Sequence, residues 1–219
     1  MIGKTGTGKS TGARNLDPKQ TFIINCLNKP LPFKGSAKLY NKDNKNIGVS
    51  TDFNQIVNTL EAIDKNRPEI KHVIIDDAGY VMNTEMFETA QEKGYDKFTR
   101  IAQHMYFILN AAKSLRSDLD IVLVFHQEDI VIDGMNVEAD IKLPGRMIRE
   151  RFNPIEISTV VVFTDVEYAK DKDEEYTYVV NKTARYPLAK TPMGMFETKT
   201  IPNDMKLLFD GIRKYYESE

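Results

Sequence analysis

Gly3 and Gly8 bracket four residues, Lys4, Thr5, Gly6 and Thr7, and are followed directly by Lys9, Ser10 and Thr11. This spacing of glycine, lysine and hydroxyl suits the binding of a phosphate chain. Glycine lets the backbone wrap close to an anion and turn its N–H groups inward. A lysine at position 9 reaches β- and γ-phosphate oxygens, and a serine at position 10 places its hydroxyl on Mg²⁺. Gly3 through Thr11 is therefore the candidate binding loop, with ATP and Mg²⁺ as the candidate ligands. Gly8 to Leu16 reads as a short helix whose N-terminal partial charge adds to the attraction.

A second group of candidates lies at the end of an apolar run. Val73-Ile74-Ile75-Asp76-Asp77 reads as a buried strand that delivers carboxylates of the Walker B kind. Asp76 is expected to hold the water shell of Mg²⁺ and so counts, with Ser10, as a metal residue. Asp77 either orients or deprotonates an attacking water or caps the turn that begins at Ala78-Gly79. Glu85 and Glu88 are further base candidates. His72, His104 and the single cysteine, Cys26, show no zinc spacing.

The elements that must position these groups alternate between apolar runs and helical patterns, which reads as α/β. Thr21 to Asn25 and Ile47 to Ser50 are strand-like, with a long loop at Leu27 to Asn46 between them. Asp52 can cap a helix through Lys65 with Ile56, Leu60 and Ile63 on one face. Tyr95 to Arg116 is the longest helical stretch, carrying Phe98, Ile101, Met105, Ile108, Leu109 and Ala112 near helical spacing. Asp120 to His126 reads as one buried strand.

Ile130 to Ile132 and Val137 to Ile141 flank Asp133-Gly134, a hairpin signal. Arg146 to Arg151 reads as a short helix. Ser158 to Glu167 and Glu175 to Asn181 form a second hairpin about a charged turn at Lys170–Glu174. Asn203 or Asp204 caps a last helix that ends near Tyr216. With no linker in view, residues 1–219 read as one domain: a mostly parallel central sheet flanked by helices, with a C-terminal antiparallel hairpin. A phosphate loop of this kind follows a strand of about 5–6 residues, yet only Met1 and Ile2 precede Gly3. Either the chain lacks its first residues or the first strand is a stub.

Composition narrows the classes. In 219 residues, 41% are hydrophobic and 28% charged, which are globular values. One cysteine excludes an internal disulfide framework and fits a reducing compartment, so a cytoplasmic location is expected. A net charge of -2 argues against a uniformly basic nucleic-acid coat and leaves a local basic groove open. The apolar runs fall short of the ~18 residues of a membrane span, and no apolar signal core follows Met1.

The ordered segments G-K-T-G-T-G-K-S, N-L-D-P, N-K-P-L-P-F-K-G, N-R-P-E-I-K-H-V-I-I-D-D, K-G-Y-D-K-F and A-K-T-P-M-G-M-F resemble small phage RecA-like ATPases of the AAA-type ATP-binding kind. Some of these belong to a single-strand annealing and recombination group. The resemblance covers nearly the whole chain; Asn28–Gly35 and Lys190–Phe196 are its more particular parts. It implies a RecA-like P-loop NTPase core, ATP with Mg²⁺, single-stranded DNA as partner, and self-association into a ring or filament. A phage-encoded protein of this kind would work in the host cytoplasm.

The resemblance makes His126, at the end of its strand, a sensor of the γ-phosphate. It makes Lys190 a residue that reaches the nucleotide of an adjoining subunit, with Arg185 as the next candidate. The stretch after His126 departs from the family, because Glu128, Asp129, Asp133, Glu138 and Asp140 would repel DNA phosphates. Lys142, Arg146, Arg149 and Arg151 offer a basic cluster that contacts DNA or a phosphate in trans, or is simply a solvated helix face. Two other functions stay open beside the DNA-directed ATPase: a small-molecule phosphotransferase and a non-catalytic, nucleotide-controlled assembly protein.

Overall fold

Ten strands are found among the described residues of the computed structural model, which are 1–145, 148–149, 153–168 and 174–217. In chain order they are β1 (Ile2–Gly3), β2 (Thr21–Asn25), β3 (Ile47–Gly48), β4 (His72–Asp76), β5 (Asp120–Leu123), β6 (Phe125–Val131), β7 (Val137–Ile141), β8 (Phe163–Glu167), β9 (Glu175–Val179) and β10 (Thr200–Pro202). α-Helices among the described residues include α1 (Ser36–Leu39), α2 (Phe53–Asn66), α3 (Gly79–Glu88), α4 (Asp96–Lys113), α5 (Pro154–Ile157) and α6 (Met205–Glu217). The protein is α/β. Its residues cluster into two compact units that alternate along the chain.

The first unit comprises Met1–Leu16, Phe125–Lys142 and Ser158–Glu219. Its mixed sheet has the order β10-β9-β8-β1-β6-β7. β1 runs parallel to both neighbours, with Gly3 opposite His126 on β6 and Thr164 on β8. Both edges of this strand are paired: Ile2 N donates to Val162 O and Phe125 N donates to Met1 O. The two expected hairpins are present as the antiparallel pairs β6–β7 and β8–β9. Most of the turn expected at Lys170–Glu174 lies outside the described residues.

The second unit comprises Asp17–Val124 and Leu143–Ile157 and holds a four-stranded, fully parallel sheet of order β3-β2-β4-β5, flanked by helices. On β4, Val73, Ile74 and Ile75 are at most 1% exposed, as an apolar run covered on both faces must be. Burial of each such side chain stabilises by about 1.5–3 kcal/mol. Asp52 caps α2 as its sequence position predicts, accepting from Gln55 N at 2.8 Å. Ile56, Leu60 and Ile63 are buried on one face of α2, and Ile101, Met105, Ile108 and Leu109 on α4. Phe98 and Ala112, grouped with that α4 stripe by spacing, are only half-buried.

Several elements differ from the sequence reading: α1 lies within the expected loop Leu27–Asn46, and α5 and β10 have no counterpart in it. Gly8 to Leu16 forms a 3₁₀ helix over Ser10–Asn15 rather than an α-helix. Asp120 to His126 is divided between β5 and β6; Val124 between them donates to Ile75 O and accepts from Ala78 N. α3 has no counterpart in the sequence pattern. Its buried residues, Val81 and Met82, are adjacent, so no stripe at three- and four-residue spacing reveals it. Among the described residues, no helix is long and apolar enough to cross a membrane.

Candidate functional site

In an open α/β sheet, ligands gather beyond the carboxyl ends of parallel strands. The Gly3–Thr11 loop leaves β1 at that end. Gly3 is required by close packing, since a Cβ there would stand 1.8 Å from Thr164 Oγ1. Gly6 and Gly8 have φ of +84° and +87°, a region that side chains disfavour. A Cβ on Gly6 would meet nothing within 4 Å, so the loop has open space on that side, whereas one on Gly8 would meet the Asn203 amide at 2.7 Å.

The Lys4 carbonyl organises the loop. It accepts from Thr7 Oγ1 at 2.8 Å, from Thr7 N at 3.4 Å and from Lys9 Nζ at 2.8 Å. The Lys9 side chain thus curls into its own loop and is buried, with its ammonium on a carbonyl that a phosphate oxygen can replace. Thr7 also shares a hydrogen bond with Thr164, so the loop is anchored to β8 as well as to β1. Thr5 is exposed, and Ser10 and Thr11 are half-buried at the start of the 3₁₀ helix.

That helix changes the expected electrostatics. Gly12 N still donates to Gly8 O at 3.0 Å in the α pattern, but Leu16 N donates to Ala13 O at 3.1 Å in the tighter one. Six residues do not build the long aligned dipole that an α-helix here would supply. The segment entering α6 holds this turn instead. Arg14 donates to Asn203 O at 2.6 Å, Asn15 to Asp204 Oδ2 at 2.7 Å, and the Asn203 amide to Thr7 O at 3.4 Å. Of the two cap candidates, Asp204 receives the Lys206 N–H at 2.9 Å, while the Asn203 amide donates to the Gly3–Thr11 loop.

Beside the loop, β6 carries His126 next to Gly3, and its backbone oxygen accepts from Lys142 N. Three residues on, Asp129 collects three donors: Lys4 Nζ at 2.6 Å, Gln127 Nε2 at 2.8 Å and an Arg185 guanidinium nitrogen at 2.9 Å. Burial alone would push the Asp129 carboxyl up, but these hydrogen bonds and the Arg185 charge bring it down to about 2. Arg185, a sequence candidate for reaching a neighbouring subunit, also donates to Val137 O at 3.1 Å within its own unit. Lys190 is bound to Val161 by two backbone hydrogen bonds, and its ammonium forms no ion pair among the described residues.

In the second unit, Asp76 ends β4 opposite Asn25 on β2, and Asp77 follows with φ of +58°. Both carboxylates are buried. Asp77 pairs with Lys29 at 2.9 Å, and Asn25 fixes that lysine's backbone by donating to Lys29 O at 2.6 Å. The Asp77 hydrogen bond raises Lys29 above the usual lysine value. Cys26 N donates to the Asp76 carbonyl at 3.2 Å; burial first, then the charges of Asp76 and Asp77, push the Cys26 thiol up to about 12.

Glu85 binds His104 at 2.7 Å and Arg100 at 3.4 Å between α3 and α4, and Glu88 is exposed. His72 pairs with Asp120 at 3.0 Å. Of the basic cluster, Arg146 and Arg151 lie outside the described residues. Among those described, no three His, Cys, Asp or Glu gather as metal ligands.

Sequence reasoning misses Asn25, Lys29, Thr164, Asn203 and the structural use of Asp129. Lys29 stands in the segment N-K-P-L-P-F-K-G and Asn203 is one of the two cap candidates, but nothing local names their partners. No protein-family model matches the chain, and no curated protein sequence matches it.

Proposed function

We propose that the chain binds ATP with Mg²⁺ on Gly3–Thr11 and hydrolyses it, as a RecA-like P-loop ATPase acting on single-stranded DNA in phage recombination or annealing. One observation carries the nucleotide part. The loop has glycines at positive φ, open space above Gly6, and the Lys9 ammonium held on the carbonyl of Lys4. In the proposed binding step Lys9 exchanges that carbonyl for phosphate oxygens, a stronger, charge-assisted contact. Ser10 and Asp76 are the residues proposed for Mg²⁺, which when bound neutralises charge developing on the phosphates. Asp77 is proposed to orient water, and His126 to respond to the γ-phosphate from its place beside Gly3.

The DNA-directed part and self-association rest on the resemblance. Lys190 remains the proposed residue acting in trans. The acidic β6–β7 hairpin is a poor surface for DNA phosphates, which leaves Lys142 and Arg149 as the basic candidates among the described residues. Calorimetry with MgATP and phosphate release with and without single-stranded DNA test the proposal. Saturable binding and DNA-stimulated release are expected. No nucleotide binding at millimolar MgATP overturns the proposal; phosphate transfer to a small acceptor favours the phosphotransferase, and tight binding without turnover the assembly protein.

Two substitutions separate the carboxylates. Asp76→Asn is expected to lower Mg²⁺-dependent turnover far more than nucleotide affinity, because the lost charge acts through the metal. Asp77→Asn is a clean removal of charge, since asparagine also tolerates the left-handed backbone that this position requires. Asp77 is buried but its partner Lys29 is largely exposed, so the substitution leaves a solvated cation rather than a buried one and the fold should persist. Turnover should fall by about 10²–10⁴ for a group that activates water. Wild-type turnover in Asp77→Asn would assign that role elsewhere.

A further inference from the structure

The carboxylate of Asp129 has a use beyond holding β6 and the Arg185 segment together. Its partner Lys4 is the residue whose carbonyl receives Lys9 and Thr7, so side chain and main chain of one loop residue link Asp129 to the Lys9 ammonium. The three donors to Asp129 are not equivalent. Arg185 is tied by a second bond to Val137 O, and Ala139 N donates to the Arg185 carbonyl. Gln127 lies two residues away on the same strand and is buried. The Lys4 side chain is 49% exposed and can swing without a large change in its solvation. If Lys4 leaves, Asp129 keeps Arg185 and Gln127, so no bare carboxylate results. Lys4 is therefore the member of the cluster that can be exchanged, and the phosphates of a nucleotide in the loop offer it a competing anion.

We infer that Asp129 is a positioning residue for the phosphate loop: it holds the Lys4 ammonium until a nucleotide's phosphates draw it away, and so sets the affinity for the triphosphate. This rests on the nucleotide reading of Gly3–Thr11. The Lys4–Asp129 pair acts as an internal competitor. Removing its charge frees Lys4 for the ligand, and the gain increases with the ligand's negative charge. It also ties nucleotide occupancy to the acidic hairpin, because Lys4 exchanges its bond to β6 for one to phosphate.

The test is titration calorimetry of the full chain with the Mg²⁺ complexes of ATP and ADP, and with AMP. Asp129→Asn keeps the shape and one acceptor oxygen. It is expected to tighten MgATP by about two- to fivefold, the range for release of one exposed ion pair, with a smaller gain for ADP and none for AMP. Asp129→Glu should restore the wild-type value. In a Lys4→Gln background the gain from Asp129→Asn should vanish, since the effect passes through Lys4. Lys4→Gln alone changes an exposed side chain and carries little risk to folding; it should weaken MgATP more than ADP.

Unchanged or weaker MgATP affinity in folded Asp129→Asn overturns the inference, as does a gain that persists in the Lys4→Gln background. If Asp129→Asn does not fold, equal effects of Lys4→Gln on ATP and ADP overturn it. Absence of nucleotide binding by the wild-type chain is a different result, because it removes the nucleotide reading itself.

Discussion

Lys9→Ala is expected to yield a folded protein that has lost nucleotide binding and turnover. The ammonium is buried in the loop, 7% exposed, and makes a 2.8 Å hydrogen bond to the Lys4 carbonyl. Alanine removes a partly desolvated cation together with its hydrogen bond, two opposing effects, so the fold should persist. Binding should fall steeply. A hydrogen bond to a charged group contributes about 1.5–3 kcal/mol, so removing one lowers affinity by a factor of roughly 10–150. Lys9 is proposed to meet more than one phosphate oxygen, so MgATP affinity should fall by at least about a hundredfold. Lys9→Arg should not rescue it, because a planar fork does not fit a site shaped for a compact ammonium. Calorimetry and phosphate release on Lys9→Ala decide the matter; retained turnover would falsify the assignment of the loop.

Gly12→Ala should produce a large loss of stability from a single methyl group. A Cβ at Gly12 would stand 1.7 Å from the hydroxyl of Tyr178 and 3.0 Å from its ring carbon Cζ. Tyr178 is fully buried on β9, so neither side can move away into solvent. Overpacking of this kind costs about 1–3 kcal/mol or more, which for a chain of this length lowers Tm by several degrees. The hydroxyl has no hydrogen-bond partner among the described residues, and burial drives its pKa far above the usual tyrosine value. Tyr178→Phe should therefore be neutral or stabilising by itself. It should also recover most of the stability lost in Gly12→Ala, since it removes the nearest atom of the clash. Thermal melts of the two single variants and the double variant give the coupling directly. Simple additivity would mean that β9 does not pack on the 3₁₀ helix as described.

The parts of this protein that depend on near neighbours are legible in its sequence. The turning of the Gly3–Ser10 loop can be read from its glycines, since positive φ at Gly6 and Gly8 favours that residue. β4 stands out as an unbroken apolar run ending on Asp76. α2 and α4 are recognisable because one face repeats at helical period and Asp52 supplies a cap. The hairpin β6–β7 follows from Asp133-Gly134. The α/β class follows from the alternation of these signals.

Which groups those elements bring together is settled only by tertiary pairing. The Lys4–Asp129 pair joins residues 125 apart in the chain, Thr7 and Thr164 are 157 apart, and the Asn203–Thr7 contact spans 196. Such pairs follow from sheet order and register, which place Gly3 between His126 and Thr164, and no local pattern encodes them. The same reason explains the division of Asp120–His126. Its residues read as one strand, but β5 pairs with β4 while β6 pairs with β1, and pairing partners lie outside any window of neighbours. Gly12 shows the limit most sharply: in sequence it is an ordinary glycine after the Gly3–Thr11 loop, and only the fold places a tyrosine hydroxyl where its side chain would be.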